Sequence, residues 1–166
     1  MRIYIPAVST DLPSPEVSSR VVYCVTPQLV RLFPDEDSDV LEAIAFTSAV
    51  DASLDALVAR RSEAAAARRI VIAADVPDGM LASDVPEEEP ETARLLAEAV
   101  SWDRVVSLHI DGDDVQALVA QAVSGNADAL HAVEEEDLLW FDVAERTSVI
   151  AHLRSVSESN GESSKL

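Results

Sequence analysis

A basic pair followed by five apolar residues makes up the segment Arg68-Arg69-Ile70-Val71-Ile72-Ala73-Ala74. The apolar part starts with β-branched residues, and an unbroken run of this kind is typical of a strand buried on both faces of a sheet. Turn residues follow at once in Asp75-Val76-Pro77-Asp78-Gly79. The segment therefore predicts a central strand, which other strands must extend and helices must cover.

Further segments indicate the neighbouring strands. Arg2 to Pro6 and Val105 to Ile110 alternate apolar with polar side chains, as half-buried strands do. Val21 to Val25 and Leu138 to Phe141 are short apolar runs that also favour strands. Thr92 to Val100 combines helix-forming residues with a position that would suit an added strand, so it stays open between helix and strand.

Helix signals separate these strands. Capping residues, a proline at a first helical position and apolar residues at helical spacing predict helices that begin after Thr26, Asp39, Asp114 and Asp142 and end near Phe33, Arg61, Val123 and Arg154. Asp39 with Glu42, and Asp142 with Glu145, have the spacing of a capping box. Residues 64–67 either prolong the second helix or link it to the next strand.

These patterns predict one α/β domain over residues 1–154. We expect a mixed sheet of about five or six strands flanked by about three or four helices. An acidic loop with two prolines is expected over residues 84–91. The serine-rich residues 155–166 are expected to form a disordered tail.

The charge balance is strongly acidic, with 31 Asp and Glu residues against 12 Lys and Arg residues. A surface of this sign disfavours nucleic-acid binding through phosphates and contact with anionic membranes. It would suit a protein partner with a basic surface. The longest stretch without charged residues, Val115 to Ala127, is shorter than the roughly 18 residues of a membrane span.

The one cysteine, Cys24, lies in the apolar run Val21 to Val25. A lone cysteine forms no internal disulfide, which fits a reducing compartment, and its apolar surroundings favour a buried thiol over a reactive one. The first residues are interrupted by Pro6 and Asp11 and show no signal-peptide pattern. We therefore expect a cytoplasmic protein.

Candidate metal ligands are concentrated in the segment His109-Ile110-Asp111-Gly112-Asp113-Asp114. Its imidazole and three carboxylates lie at a predicted strand-to-helix junction, and oxygen ligands suit Mg²⁺ or Ca²⁺. The spacing differs from that of a calcium-binding loop, and Asp111 or Asp113 would also serve as a helix cap. Two interpretations stay open: a cap, or a divalent-cation site formed by His109, Asp111, Asp113 and Asp114.

Other site motifs are absent from the sequence. Histidines and cysteine do not have zinc-ligand spacing, there is no Gly-x-Ser-x-Gly motif, and four glycines leave no phosphate-binding loop. The acidic runs Glu87-Glu88-Glu89 and Glu134-Glu135-Glu136 are typical of solvated surface. No cofactor other than a divalent cation is predicted, and whether the protein is an enzyme stays open.

Trp102 and Trp140 are the two large aromatic anchors. Core packing is the expected role of both, since a buried indole contributes a large apolar area. A tryptophan that proves to be exposed is instead expected to lie at the centre of a protein interface, where this residue type is enriched.

A set of four segments is distinctive when taken together. They are Met1-Arg2-Ile3-Tyr4-Ile5-Pro6-Ala7, Val71-Ile72-Ala73-Ala74-Asp75-Val76, Val105-Val106-Ser107-Leu108-His109-Ile110-Asp111 and Leu138-Leu139-Trp140-Phe141. Together they resemble an uncharacterised family of small, acidic actinobacterial proteins of unknown function. The resemblance spans most of the chain and implies a cytosolic setting, but it transfers no catalytic role. His109 and Asp111 fall inside a matching segment and are the first residues to test.

Charge and motifs favour a non-enzymatic binding or adaptor protein with an acidic surface, whose partner is basic. The alternative is a metal-dependent, hydrolase-like enzyme that uses His109, Asp111, Asp113 and Asp114. A structural subunit of a dimer is a third possibility, and the oligomeric state is not readable from the sequence.

Overall fold

The computed structural model describes residues 1–60 and 67–163 of the chain. Its helices are α1 Pro27–Leu32, α2 Ser38–Ala59, α3 Gln116–Val123, α4 Ala127–Glu134 and α5 Arg146–Ser163. Its strands are β1 Arg2–Ala7, β2 Glu16–Val17, β3 Val21–Tyr23, β4 Ile70–Asp75, β5 Leu81–Ala82, β6 Ala93–Leu96, β7 Val100–Ser101, β8 Val105–Ile110 and β9 Leu139–Asp142. The predicted α/β class is therefore confirmed.

Seven strands form one sheet in the order β5-β6-β3-β1-β4-β8-β9, and β2 pairs with β7 in a separate ribbon. Every neighbouring pair in the sheet is antiparallel, so the prediction of a mixed sheet with about five or six strands is wrong in both respects. Helix α2 connects β3 to β4, which run in the same direction, but β1 lies between them. The additional strands include β6, which lies in the segment that the sequence left open between helix and strand.

The centre of the sheet is buried on both faces. On one face Ile70 and Ile72 of β4 belong to a core that includes Val149 of α5. On the other face Val71 packs in a cluster with Ala49 of α2. The prediction of a central, doubly buried strand is confirmed, and the molecule has helices on both sides of its sheet.

Small residues set the distance between α2 and the sheet. Ala45 and Ala49 are completely buried, while Phe46 is only half-buried on the flank of the helix. The small side chains of Ala45 and Ala49 let the helix lie close to the strands. The larger ring of Phe46 does not fit between helix and sheet and lies beside the two alanines. There it meets the rings of Tyr4 on β1 and His109 on β8.

The start of α2 differs from the predicted capping box of Asp39 with Glu42. The N-cap is Asp37, whose carboxylate accepts hydrogen bonds from the backbone N–H groups of Asp39 and Val40. Glu42 instead accepts a hydrogen bond of 2.7 Å from the hydroxyl of Tyr4. Glu42 thus binds Tyr4 on β1 and does not cap its own helix. The spacing of residues within the helix could not indicate this contact with a distant strand.

A β-bulge changes which residues of β8 face the core. The register with β4 shifts between Ala73 and Ala74, and as a result Val105 is buried while Val106 is 36% exposed. The alternation in the sequence predicts Val106 on the same face as Leu108. One extra residue in a bulge reverses the alternation beyond it, which explains the difference.

Two helices, α3 and α4, follow β8 where the sequence predicts one. Gly125 between them has a φ of 99°, a conformation that glycine adopts without steric cost. Asn126 then caps α4 by accepting a hydrogen bond from the backbone N–H of Ala129. Five helices therefore lie within the described ranges, compared with about three or four predicted.

Helix α5 covers the face of the sheet opposite α2. The predicted capping box of Asp142 with Glu145 is confirmed at the turn that leads into it. The helix runs to Ser163, beyond the predicted end near Arg154, so residues 155–163 of the predicted tail are helical in the structure. Its first half is anchored on the core, and a helix extends from an anchored turn at little further cost.

Some predictions fall on residues that the structure does not describe. Residues 61–66, which include most of the segment left open between helix and link, lie outside the described residues, as do residues 164–166. The domain boundary at residue 154 stays a prediction. Within the described part of the chain, no helix is long and apolar enough to cross a membrane.

Candidate functional site

The four residues of the predicted metal site lie in different environments. Asp111 is deeply buried. Asp111 is 2% exposed and its partner Arg69 is 1% exposed. Arg69 donates to Asp111 Oδ1 from Nη2 at 2.7 Å and from Nε at 3.0 Å, and its backbone N–H donates to Oδ2 at 2.6 Å. A carboxylate with this set of donors holds the start of β4 to the end of β8.

Arg69 also binds the end of α4. It donates to the carbonyl oxygens of Val133 at 2.7 Å and Glu136 at 2.8 Å. A cation is stabilised at the C-terminal end of a helix, where the carbonyl groups point outward. We call Arg69, Asp111 and these two carbonyl groups the Arg69 centre. Because Glu136 lies shortly before β9, this centre also fixes the path of the chain into that strand.

Asp113 lies outside this centre, at the surface. Arg68 donates to it at 2.7 Å, and Nε2 of His152 on α5 lies 2.8 Å from its Oδ2. Burial raises the pKa of Asp113, but the hydrogen bond from His152 and the charge of Arg68 outweigh burial and hold the pKa below its usual value. Asp114 is exposed. Helix α3 begins at Gln116, and its N-cap position is Val115, which makes no side-chain cap hydrogen bond, so the predicted cap by Asp111 or Asp113 is wrong.

His109 faces α2. Its ring lies 4.8 Å from that of Phe46, and its Nε2 lies 3.1 Å from Oγ of Ser107. Burial, with the nearby charge of Arg2, lowers the pKa of His109. Among the residues that the structure describes, no group of three His, Cys, Asp or Glu could hold a metal ion. The structure does not bring the four predicted ligands together, and metal binding by them stays a prediction of the sequence alone.

The two tryptophans differ in their surroundings. Trp102 packs against the core as predicted, donates from Nε1 to the carbonyl of Ser14 at 2.8 Å, and has the guanidinium of Arg146 3.8 Å above its ring. Trp140 is 60% exposed, so the core packing predicted for it is wrong. It lies on β9, the last strand of the sheet, which α2 does not cover. Trp140 therefore meets the condition for an interface residue better than Trp102.

Trp140 lines a groove of about 520 Å³ that lies between α2 and the β1, β8 and β9 strands. We call it the β9 groove and define it by four rings and two carboxylates, namely Tyr4, Phe46, His109, Trp140, Glu42 and Asp137. The groove exists because α2 lies close to the centre of the sheet while β8 and β9 extend the sheet beyond the helix.

Three rings of the β9 groove, those of Tyr4, Phe46 and His109, contact one another in a row. Phe46 meets Tyr4 edge to face at 5.5 Å between ring centroids, and it meets His109 at 4.8 Å. His109 and Trp140 are directly paired in the register of β8 and β9, so Trp140 extends the row to the exposed rim. Aromatic faces at the rim of a groove attract cations such as arginine and lysine side chains.

The charges of the β9 groove leave it acidic. Arg2, which also lines it, donates to the two carboxylate oxygens of Asp75 at 2.7 and 3.0 Å. Burial and the hydrogen bond to Glu42 raise the pKa of Tyr4, which keeps its hydroxyl protonated. Within the described residues Asp137 has no hydrogen bond or ion pair, so its charge is available to a ligand.

A second cavity, of about 280 Å³, lies under α5. Apolar side chains such as Phe141, Val149 and Leu153 line most of it. Asp113 and His152 also line this cavity, where Nε2 of His152 lies 2.8 Å from Oδ2 of Asp113. These contacts fasten α5 to the turn before α3, which gives the polar groups of the cavity a structural role.

Two residues of the β9 groove were expected from the sequence to have functional roles, Trp140 at an interface and His109 as a metal ligand. Tyr4, Phe46 and Glu42 were missed, because Phe46 fits the apolar face of a helix and Glu42 fits a capping box. Only the packing of α2 on β1 brings these residues together.

Comparison with known families assigns most of the chain to a family model. The model of a family described as "Family of unknown function (DUF6912)" matches residues 1–150. No curated protein and no solved structure matches the chain. The matched range contains the Arg69 centre and the whole β9 groove. The chain therefore belongs to this family of unknown function.

Proposed function

We propose that this member of a family of unknown function is a non-enzymatic binding protein whose β9 groove receives basic side chains of a protein partner. The observation that carries the proposal is Trp140, 60% exposed at the rim of a groove that also contains Glu42 and Asp137. An aromatic face next to carboxylates is the combination that binds a guanidinium or ammonium group.

Apolar exposure along β9 supports a protein partner. Trp140 is 60% exposed on the groove side of this strand, and Leu139, on its other face, is 53% exposed. Large apolar residues exposed on an outermost strand are typical of interaction surfaces. Tryptophan is also the residue type that most often dominates the binding energy of an interface.

The overall charge supports a basic partner. The chain has a formal net charge of −19 at pH 7. A field of this sign accelerates the encounter with a cationic surface and repels nucleic acid, and its effect weakens as salt is added. Binding in the β9 groove is therefore expected to be sensitive to salt.

The metal-dependent enzyme has less support from the geometry. Asp111 is enclosed with Arg69, and Asp113 binds Arg68 and His152. A cation that recruited these carboxylates would have to displace arginines from them, at the cost of leaving buried positive charge unpaired.

The test is isothermal titration calorimetry with hexa-arginine, acetylated and amidated at its ends. We expect binding at about 50 mM salt that weakens at least tenfold at about 300 mM salt. Trp140→Ala, and separately the pair Glu42→Gln with Asp137→Asn, should each weaken binding about tenfold or more.

A matched control separates the groove from general acidity. The pair Glu98→Gln with Asp103→Asn removes the same charge from residues that do not line the β9 groove, and it should leave the affinity within about twofold. If the control pair weakens binding as much as the groove pair does, or if Trp140→Ala has no effect, the proposal is wrong.

A further inference from the structure

We infer that the basic partner binds as an extended segment, which adds to the sheet as a new strand beside β9. This inference rests on the proposed function and specifies how the partner binds. It predicts a segment in which basic side chains alternate with apolar ones.

The free edge of the sheet lies at β9. In the strand order of residues 1–60 and 67–163, β9 is last and pairs with β8 alone. The opposite edge is β5, which has only two residues. Protective features of edge strands include short length and charged residues, whereas β9 exposes Leu139 and Trp140. Of the two edges, β9 is therefore the one that offers a template for a further strand.

The hydrogen bonds of Asp142 show which backbone groups of β9 point outward. Its N–H donates to the carboxylate of Glu145 at 2.9 Å and so is not directed at Ser107, its register partner on β8. In an antiparallel pair the direction of the backbone groups alternates from residue to residue. The N–H and C=O of Trp140, two residues earlier, therefore point to the free side of the sheet.

The two faces of β9 define the side chains that an added strand would present. Trp140 points to the α2 side and lines the β9 groove, whereas Leu139 lines the cavity under α5. Successive side chains of an added strand point to opposite faces in the same way. A basic side chain would then lie over Trp140 near Asp137, and its apolar neighbour would lie over Leu139.

Charge argues against a second copy of this chain as the occupant. The acidic run Glu134 to Asp137 precedes β9, Asp142 is the last residue of the strand, and Glu145 follows it. Two antiparallel copies of β9 would place the acidic run of one copy beside Asp142 and Glu145 of the other, and like charges at such distances repel. A basic segment meets the same carboxylates with opposite charge, which favours it over self-association.

The experiment compares two peptides that differ only in their backbone. The first is a nine-residue peptide of alternating valine and arginine, blocked at both ends, and the second is the same peptide methylated at every internal backbone nitrogen. Calorimetry should show that methylation weakens binding about tenfold or more, because strand pairing needs the N–H groups.

Equal affinity of the two peptides, with both weakened by Trp140→Ala, would overturn strand addition and leave the proposed function intact. Failure of both peptides and of hexa-arginine to bind would overturn the two proposals together.

A pair of variants tests the same point in the protein. Trp140→Ala removes the indole, and Trp140→Pro removes the indole together with the outward N–H, at a position where an edge strand tolerates proline. The valine–arginine peptide should bind the proline variant about fivefold more weakly than the alanine variant, with unchanged circular dichroism. Equal affinity would contradict strand addition. A wild-type dimer in sedimentation that Trp140→Pro dissociates would also overturn it, since a second copy would then occupy β9.

Discussion

The Arg69 centre and the β9 groove both contain carboxylates, and both contact the chain as it enters β9. They differ in that the charges of the centre are buried and paired, whereas the groove has an exposed carboxylate that is unpaired within the described residues. In the centre, Asp111 and Arg69 are almost completely buried, and each is bound several times. Across the described ranges, no buried side-chain polar atom lacks a hydrogen-bond partner. In the groove, Asp137 is exposed and Trp140 presents most of its surface to solvent.

This difference separates stability from binding. A buried charge that loses its partner destabilises the fold, because it cannot recover its hydration. An exposed ring or carboxylate contributes little to folding but is available to a ligand. Substitutions in the Arg69 centre should therefore lower mainly the stability of the fold, whereas substitutions in the β9 groove should lower mainly the affinity for the ligand.

The largest effect is expected from the Arg69 centre. Asp111→Asn leaves the guanidinium of Arg69 buried without its counter-charge, and loss of one partner of such a pair costs about 3–5 kcal/mol. The free energy of unfolding, measured in urea, should fall by this amount, which is a large fraction of the stability of a typical domain.

A double variant tests the cause. Arg69→Met combined with Asp111→Leu removes both charges, so its stability should exceed that of Asp111→Asn. If the double variant is less stable than the single one, the buried charge is not the reason for the loss.

In the β9 groove, a substitution should affect the affinity for the ligand much more than the stability of the fold. Trp140→Ala is expected to change the free energy of unfolding by about 0.5 kcal/mol or less, since the side chain is largely in solvent before and after folding. The same variant should lose about tenfold or more in affinity for hexa-arginine. A large loss of stability would show that Trp140 has a structural role that its exposure does not suggest.

A smaller, pH-dependent effect is expected at His109, which lines the β9 groove. Its folded pKa is lowered below 6.5, so below this pH the unfolded chain takes up a proton more readily than the folded protein. His109 therefore reduces stability as the pH falls through 6.5 towards its folded pKa. Relative to His109→Gln, the wild type should lose stability between about pH 7.5 and about pH 5.5, with other histidines cancelling in the difference. A difference that is independent of pH would contradict the buried, neutral imidazole.

The smallest effect is expected in the chemical labelling of Cys24. The labelling rate of this thiol reports how often the core opens. The predicted buried thiol is confirmed at 0% exposure, and burial raises its pKa to about 11. A thiol reagent should thus label the native protein very slowly, at a rate that Trp140→Ala leaves unchanged and Asp111→Asn increases. Rapid labelling of the wild type would show that the core opens without the Arg69 centre being disturbed.

The sequence predicted the parts of the fold that depend on local patterns. The buried run at β4, the helix start at Thr26 and the capping box of Asp142 with Glu145 are confirmed, since each depends on residues close together in the chain. The antiparallel order, the bulge in β8 and the division of α3 from α4 were not predicted, because they depend on pairing between distant segments or on a single glycine conformation.

The same limit applies to the candidate site. Asp111 was predicted to be a ligand because of its residue type, but its partner Arg69 lies far away in the sequence, directly before β4, and the sequence does not show that the two are joined. Trp140 was expected to be an interface residue if it proved to be exposed, and its 60% exposure follows from its place on the last strand of the sheet. Glu42 and Phe46 come to the groove from one side of α2, which only the packing of Ala45 and Ala49 determines.

The most direct test of the β9 groove is a heteronuclear NMR titration of the ¹⁵N-labelled protein with hexa-arginine. The largest shift changes should occur at the amides of Tyr4, Phe46, His109 and Trp140 and at the indole N–H of Trp140. Changes of equal or greater size in the acidic loop of residues 84–91, with the groove unaffected, would contradict binding at this site.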